Sequence, residues 1–229
     1  MVIGKGLVAD KLGAFREDDS VLVFASGVSN SGELNEAAYL RETELLMHHK
    51  GTEALLVYFS TCSIFDPVSQ KGMYVKHKIR MEKLIASNFR KHLIVRLPLL
   101  ISNAPNPYTF FNFIAQSILN DKPLRVQKNA WRYIFDADDL SVYLPLLIKE
   151  NRFADGVINM AYSNAERVPN LIALFEEILG RTAKKEFVEE GSLYAFNNDP
   201  FMNFLNKKGI DFDKDEYNRT VLKKYLDKI

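Results

Sequence analysis

Two residues of this chain, Tyr74 and Lys78, could handle a proton together. Spaced i and i+4 on a helix, they lie on one face, one turn apart. An ammonium close to a phenol favours the phenolate and lowers its pKa, which would let Tyr74 exchange a proton near neutral pH. Upstream, Ser60, Thr61 and Ser63 place hydroxyls in one short stretch, each able to hold the oxygen that the proton reaches. A second stretch, Gly4-Lys5-Gly6-Leu7-Val8-Ala9, carries Gly-x-Gly-x-x-Ala. In such a pattern Gly4 allows a tight turn, Gly6 lets a phosphate approach the backbone, and Ala9 lets helix and strand pack closely. The start of the following helix then favours an anion.

These residues need elements to position them. Leu55-Leu56-Val57-Tyr58-Phe59 is a short apolar run, which reads as a buried parallel strand. Its hydroxyls fall at the carboxyl end, where open parallel sheets bind ligands. Tyr74 opens a long helix running to about Phe89, followed by the strand Leu93 to Leu97. The chain starts on a short strand, Met1 to Ile3, which runs into a helix over Leu7 to Phe15. Just Arg16 to Ser20 separate that helix from the next strand, Val21 to Ala25, which ends in Ala25-Ser26-Gly27-Val28. Glu33 to His49 reads as a helix. Beyond Pro98 come a turn-rich loop around Asn106 and an aromatic amphipathic helix over Tyr108 to Asn120. A short strand at Lys122 to Val126 and the segment Trp131 to Leu140 follow, with Asp138 as a helix N-cap. A helix over Val168 to Leu179 stops at Gly180.

The 229 residues make one domain, or one domain with a small lobe. Lys plus Arg number 30 and Asp plus Glu 29, scattered without a basic arm, so nothing points to nucleic acid. The single Cys62 excludes an intramolecular disulfide and suits a reducing cytoplasm. Residues 1–15 lack a signal-peptide core, and no apolar run approaches the roughly 18 residues that span a membrane. Adjacent His48 and His49 point about 100° apart on a helix and do not share a metal easily. Asp138 and Asp139 read as capping and dipole residues. The expectation is a cytoplasmic protein with no metal, no membrane and no nucleic acid.

The order strand, Ser-Thr-x-Ser, loop, Tyr-x-x-x-Lys helix, strand resembles the extended short-chain dehydrogenase/reductase family, in its branch acting on nucleotide sugars. The resemblance covers almost the whole chain. It implies an α/β fold: a doubly wound, Rossmann-like, mostly parallel sheet, with the first strand at or near an edge. The cofactor-binding domain would span residues 1–102. A substrate lobe would span 103–229, with a strand near 157–161 returning to the sheet. It implies NAD or NADP as cofactor and Thr61, Tyr74 and Lys78 as catalytic residues, since Thr61 lies four residues before the aromatic of the triplet Ile64-Phe65-Asp66. Ser60 and Ser63 are its rivals. Gly4, Lys5, Gly6, Leu7, Val8, Ala25, Ser26, Gly27, Tyr74, Lys78 and Pro98 would hold the cofactor, with Lys78 also on its nicotinamide ribose. Ser63, Asn106 and Arg132 would hold a nucleotide-sugar substrate, Arg132 gripping phosphate through paired hydrogen bonds. Helices 33–49 and 74–89 would pair two copies into a homodimer.

The chain departs from the family in one place. A βαβ unit needs about 30 residues, so the second and third strands of the fold have no room, and the acidic residue that would bind the adenosine ribose has no counterpart. Cys62 and Ser63 stand where 4,6-dehydratases carry Asp-Glu, which disfavours dehydration and leaves ketoreduction or epimerisation, in surface-polysaccharide precursor synthesis. The alternative is a non-catalytic relative that binds a nucleotide sugar or a partner, with impaired dinucleotide binding.

Overall fold

The computed structural model describes residues 1–150 and 156–228. Along the chain run β1 (Val2–Ile3), α1 (Leu7–Lys11), β2 (Val21–Phe24), α2 (Glu36–Met47), β3 (Leu55–Thr61), α3 (Met73–Asn88), β4 (His92–Leu97) and β5 (Leu99–Ile101). Then come α4 (Phe110–Leu119), β6 (Leu124–Gln127), β7 (Trp131–Arg132), β8 (Ile134–Asp136), α5 (Ala137–Lys149), β9 (Gly156–Asn159) and β10 (Glu166–Arg167). The last are α6 (Val168–Leu179), β11 (Lys185–Val188), α7 (Asp199–Lys207) and α8 (Lys214–Leu226). The helix expected over Leu7 to Phe15 is shorter: α1 stops at Lys11 and a 3-10 turn, Gly13–Phe15, finishes the segment.

The chain forms two compact units, Met1–Leu97 with Ala137–Met160, and Pro98–Asp136 with Ala161–Ile229. The division falls at Leu97 rather than at 102, and α5 and β9 belong to the first unit. The first unit carries a parallel sheet in the order β1-β2-β3-β4-β9, with β1 at the edge. Val2 pairs with Val23, Val23 with Val57, Val57 with Leu93, and Leu93 with Gly156. Because side chains alternate along a strand, Leu22, Phe24, Leu56, Tyr58 and Ile94 share a face. There they pack with Leu46 of α2 and with Met81 and Ile85 of α3. Val23, Val57 and Val95 on the other face are buried too. A sheet covered on both faces explains why these strands read as unbroken apolar runs.

Caps set the helix positions. Asn35 begins α2 by accepting the Ala37 N–H at 3.0 Å. Asp138 is not the N-cap expected of it: α5 already starts at Ala137, so Asp138 lies inside the first turn, where its carboxylate accepts from Lys11 of α1. A carboxylate there suits the helix dipole. Gly180 ends α6 in the left-handed conformation, φ 62°.

In the second unit Phe111 and Ile114 of α4, Phe175 of α6, and Leu222 and Tyr225 of α8 share a core. Asp136, at the end of β8, accepts from Tyr225 Oη and Lys224 Nζ, each at 2.6 Å, which ties α8 to that strand. Among the described residues no helix is long and apolar enough to cross a membrane.

Candidate active site

β3 ends where its hydroxyls begin. Thr61, its last residue, is buried and caps the 3-10 turn Cys62–Phe65 by accepting the Ser63 N–H at 3.0 Å. A turn that folds back at this point lets α3 start at Met73, so Tyr74 opens the helix and returns to the strand end. The Thr61 hydroxyl lies beside the Tyr74 phenol and favours its ionised form. Ser60 is buried with its hydroxyl unpartnered, and Ser63 is partly exposed. Of the three hydroxyls, Thr61 is the one that acts on the Tyr74 phenol.

Tyr74 is only partly exposed, and dense packing round its hydroxyl pushes the phenol up from its ordinary pKa. The Glu42 carboxylate adds to the rise, and the Thr61 hydrogen bond opposes it without overcoming it. The direction is opposite to that expected from Lys78 alone. Lys78 Nζ lies 5.9 Å from the centre of the Tyr74 ring, and its charge is already answered by another group.

That group is Glu42, which the sequence reading did not single out. It lies on α2 and is completely buried. Its Oε1 accepts from Lys78 Nζ at 3.0 Å and from Tyr58 Oη at 2.6 Å. Its Oε2 accepts from the Val28 N–H at 2.6 Å. His77 Nε2 lies 3.1 Å from Oε2, close enough for an ion pair but off-line for a hydrogen bond. Burial works to raise the Glu42 carboxyl. The contacts with His77, Lys78, Tyr58 and Val28 outweigh it and bring the group down to about 2. Burial lowers the pKa of Lys78, with Glu42 opposing. Besides Glu42, Lys78 Nζ donates to Tyr58 Oη at 3.0 Å and to the Phe59 carbonyl at 3.4 Å. An ammonium has three donors, and here each has an acceptor.

The glycine stretch divides by role. Gly4 has φ 133°, and a Cβ there would fall 2.4 Å from the Ala25 carbonyl oxygen. Close packing of the β1 turn on the end of β2 is enough to require glycine at this position. Gly6 is different: a Cβ there would meet nothing within 4 Å. Lys5 is exposed, Leu7 and Val8 are partly so, and Ala9 is fully buried. The backbone at Gly6 can thus be approached by a phosphate, and this half of the pattern fits a dinucleotide. After β2, Ser26 accepts from Arg41 through both its hydroxyl, at 3.2 Å, and its carbonyl, at 2.9 Å. A Cβ on Gly27 would fall 2.7 Å from Lys78 Nζ and 2.8 Å from Glu42 Oε1, so this backbone rests directly on the ion pair.

Pro98, Asn106 and Arg132 belong to the second unit. Asn106 builds a turn: its Oδ1 accepts the Tyr108 N–H at 3.0 Å, and its carbonyl accepts from Asn112 at 2.8 Å. Arg132, on β7, pairs in register with Glu166 and donates to the Trp131 carbonyl at 2.7 Å. Cys62, which follows Thr61, is buried with its thiol pushed up by burial. Among the described residues no group of His, Cys, Asp or Glu could hold a metal ion.

No protein-family model matches the sequence, and no curated protein matches it. Solved structures do match in fold. A UDP-glucose 4-epimerase of Thermus thermophilus in complex with NAD superposes with a TM-score of 0.72 at 14% identity, over 97% of this chain and 81% of that one. A dTDP-glucose 4,6-dehydratase of Bacillus anthracis, also in complex with NAD, gives 0.70 at 15% over 94% and 74%. A dTDP-4-dehydrorhamnose reductase of Clostridium acetobutylicum gives 0.66 at 17% over 97% and 85%. With β1 at the edge of its sheet, this shorter chain has the Rossmann-like fold shared by these nucleotide-sugar epimerases, dehydratases and reductases.

Proposed function

We propose that the chain is an NAD(P)-dependent oxidoreductase or epimerase acting on a nucleoside-diphosphate sugar. The observation that carries this reading is the placement of Thr61 at the carboxyl end of β3 and of Tyr74 in the first turn of α3. Thr61 orients a substrate oxygen, and Tyr74 moves a proton at that oxygen. Because the phenol is raised, Tyr74 holds its proton through the neutral range, which suits donation to a carbonyl oxygen as it becomes a hydroxyl. A nicotinamide, when bound, supplies the hydride donor or acceptor. Gly6 offers its backbone to the cofactor phosphates, and Lys78 Nζ lies 5.9 Å from the centre of the Tyr74 ring. With Cys62 and Ser63 after Thr61, no acid follows to expel water, so dehydration is disfavoured.

The proposal assigns the substrate diphosphate to Arg132. Arg132→Ala should then weaken nucleotide-sugar binding by about 1.5–3 kcal/mol, the loss of a charged hydrogen bond, and leave dinucleotide affinity nearly unchanged. Calorimetric titration with each ligand checks this, and equal losses for both would point to damage of the fold. The reading also includes a homodimer through α2 and α3, with Leu40 of α2 57% exposed, which sedimentation would show as twice the 26.2 kDa chain.

A second reading is a binding protein without turnover. The engaged Lys78 favours it, because its three donors are taken within the chain. On that reading a nucleotide sugar binds and is returned unchanged.

A further inference from the structure

We infer that Glu42 is a built-in competitor for the cofactor: it occupies Lys78, so a dinucleotide gains that lysine only when the Glu42–Lys78 pair opens. The inference rests on the reading that a nicotinamide dinucleotide binds this unit, and it concerns what regulates that binding.

The geometry leaves little freedom. Lys78 Nζ has Glu42 Oε1 and Tyr58 Oη at 3.0 Å each and the Phe59 carbonyl at 3.4 Å, with the lysine side chain 3% exposed. No donor remains for a ribose hydroxyl. For an ammonium donor the carboxylate is a stronger acceptor than a neutral hydroxyl, because the attraction of opposite charges adds to the hydrogen bond. A ribose diol therefore does not displace it. Nor can a ligand slip between the pair and the loop above, since Gly27 rests on both Lys78 Nζ and Glu42 Oε1 with no room for even a Cβ. Glu42 is itself fixed from the other side by the Val28 N–H at 2.6 Å. The pair is thus held by α2, by β3 and by the loop after β2, all in one unit. Glu42 is a positioning residue here, acting through Lys78.

The test is calorimetric titration of NAD and of NADP into the full chain and into Glu42→Gln. The amide keeps the shape of Glu42 and removes its charge. Loss of the charge assistance, taken as about 1.4 kcal/mol, should tighten dinucleotide binding about tenfold. The wild-type protein should bind weakly and discriminate poorly between NAD and NADP, because the ribose anchor of a second strand is missing. The same gain must vanish when Lys78→Met is added to Glu42→Gln, since the lysine that profits is gone. If Glu42→Gln does not fold, as circular dichroism would show, Glu42→Asp serves. It retracts the carboxylate by one methylene and should give a smaller gain in the same direction. Equal dinucleotide affinity in the wild type and a folded variant would overturn the inference while leaving the cofactor reading intact. No dinucleotide binding by any of these proteins would overturn the cofactor reading and the inference together.

Discussion

Tyr74→Phe should lower turnover by at least about 100-fold, the smaller end of what general acid–base catalysis supplies. The ring and its packing stay, and only the group that moves the proton is deleted. The melting temperature should therefore hardly move, because Thr61 keeps its bond to the Ser63 N–H at 3.0 Å. The pH profile adds a second check. With the phenol pushed up by burial and by Glu42, the wild-type rate in the reductive direction should be level through the neutral range, with no step from phenol ionisation. Thr61→Val should slow the reaction and leave that profile alone. A rate that rises with phenol ionisation near neutral pH would show that the Lys78 charge reaches Tyr74 in spite of Glu42.

Glu42→Ala should destabilise the fold by about 3–5 kcal/mol, the usual consequence of breaking a buried ion pair from one side. Lys78 would be left buried with no counter-charge, and Tyr58 Oη and the Val28 N–H would lose their acceptor. Replacing both partners, Glu42→Leu with Lys78→Met, should recover most of that loss, since apolar residues of like volume often substitute for a buried pair without penalty. Urea denaturation of the three proteins measures it. The pH dependence has a definite sign. The Glu42 carboxyl is depressed in the folded chain from an ordinary 4.5 to about 2, so its stabilisation is complete above about pH 4.5 and is lost as pH falls toward about 2. The gap between wild type and Glu42→Ala should close over that window. A gap that stays constant there would mean that Glu42 is not the ionised partner of Lys78.

The parts of the site that are contiguous in sequence were legible. Thr61 ends an apolar run, and Tyr74 and Lys78 are spaced one turn apart, so the strand, its terminal hydroxyl and the placing of both side chains on one helix follow from local periodicity. The parallel sheet was legible for the same reason. Glu42 was not, because it reaches Lys78 from a different helix and stands among other charged residues, Arg41 and Glu44. A signal did exist. Tyr39, Glu42 and Leu46 are the buried positions of α2, spaced i, i+3 and i+7, so an acid stood on the apolar stripe of the helix. The same omission reversed the expected direction for Tyr74: a lone lysine lowers a phenol, whereas a lysine neutralised by a buried carboxylate leaves desolvation to decide. Gly4 makes the tight turn expected of it. The Ala25 carbonyl at the end of β2 requires glycine there.

The claim that Thr61 and Tyr74 carry out chemistry on a nucleoside-diphosphate sugar is tested most directly by the magnetic resonance spectrum of the sugar itself. The wild-type chain is incubated with a panel of such sugars and their keto forms, together with NAD, NADP or their reduced forms, in parallel with Tyr74→Phe. The account predicts a new stereoisomer or a reduced sugar with the wild type and almost none with Tyr74→Phe. Equal conversion by both proteins, or sugars that bind the wild type and return unchanged under every cofactor, would contradict it.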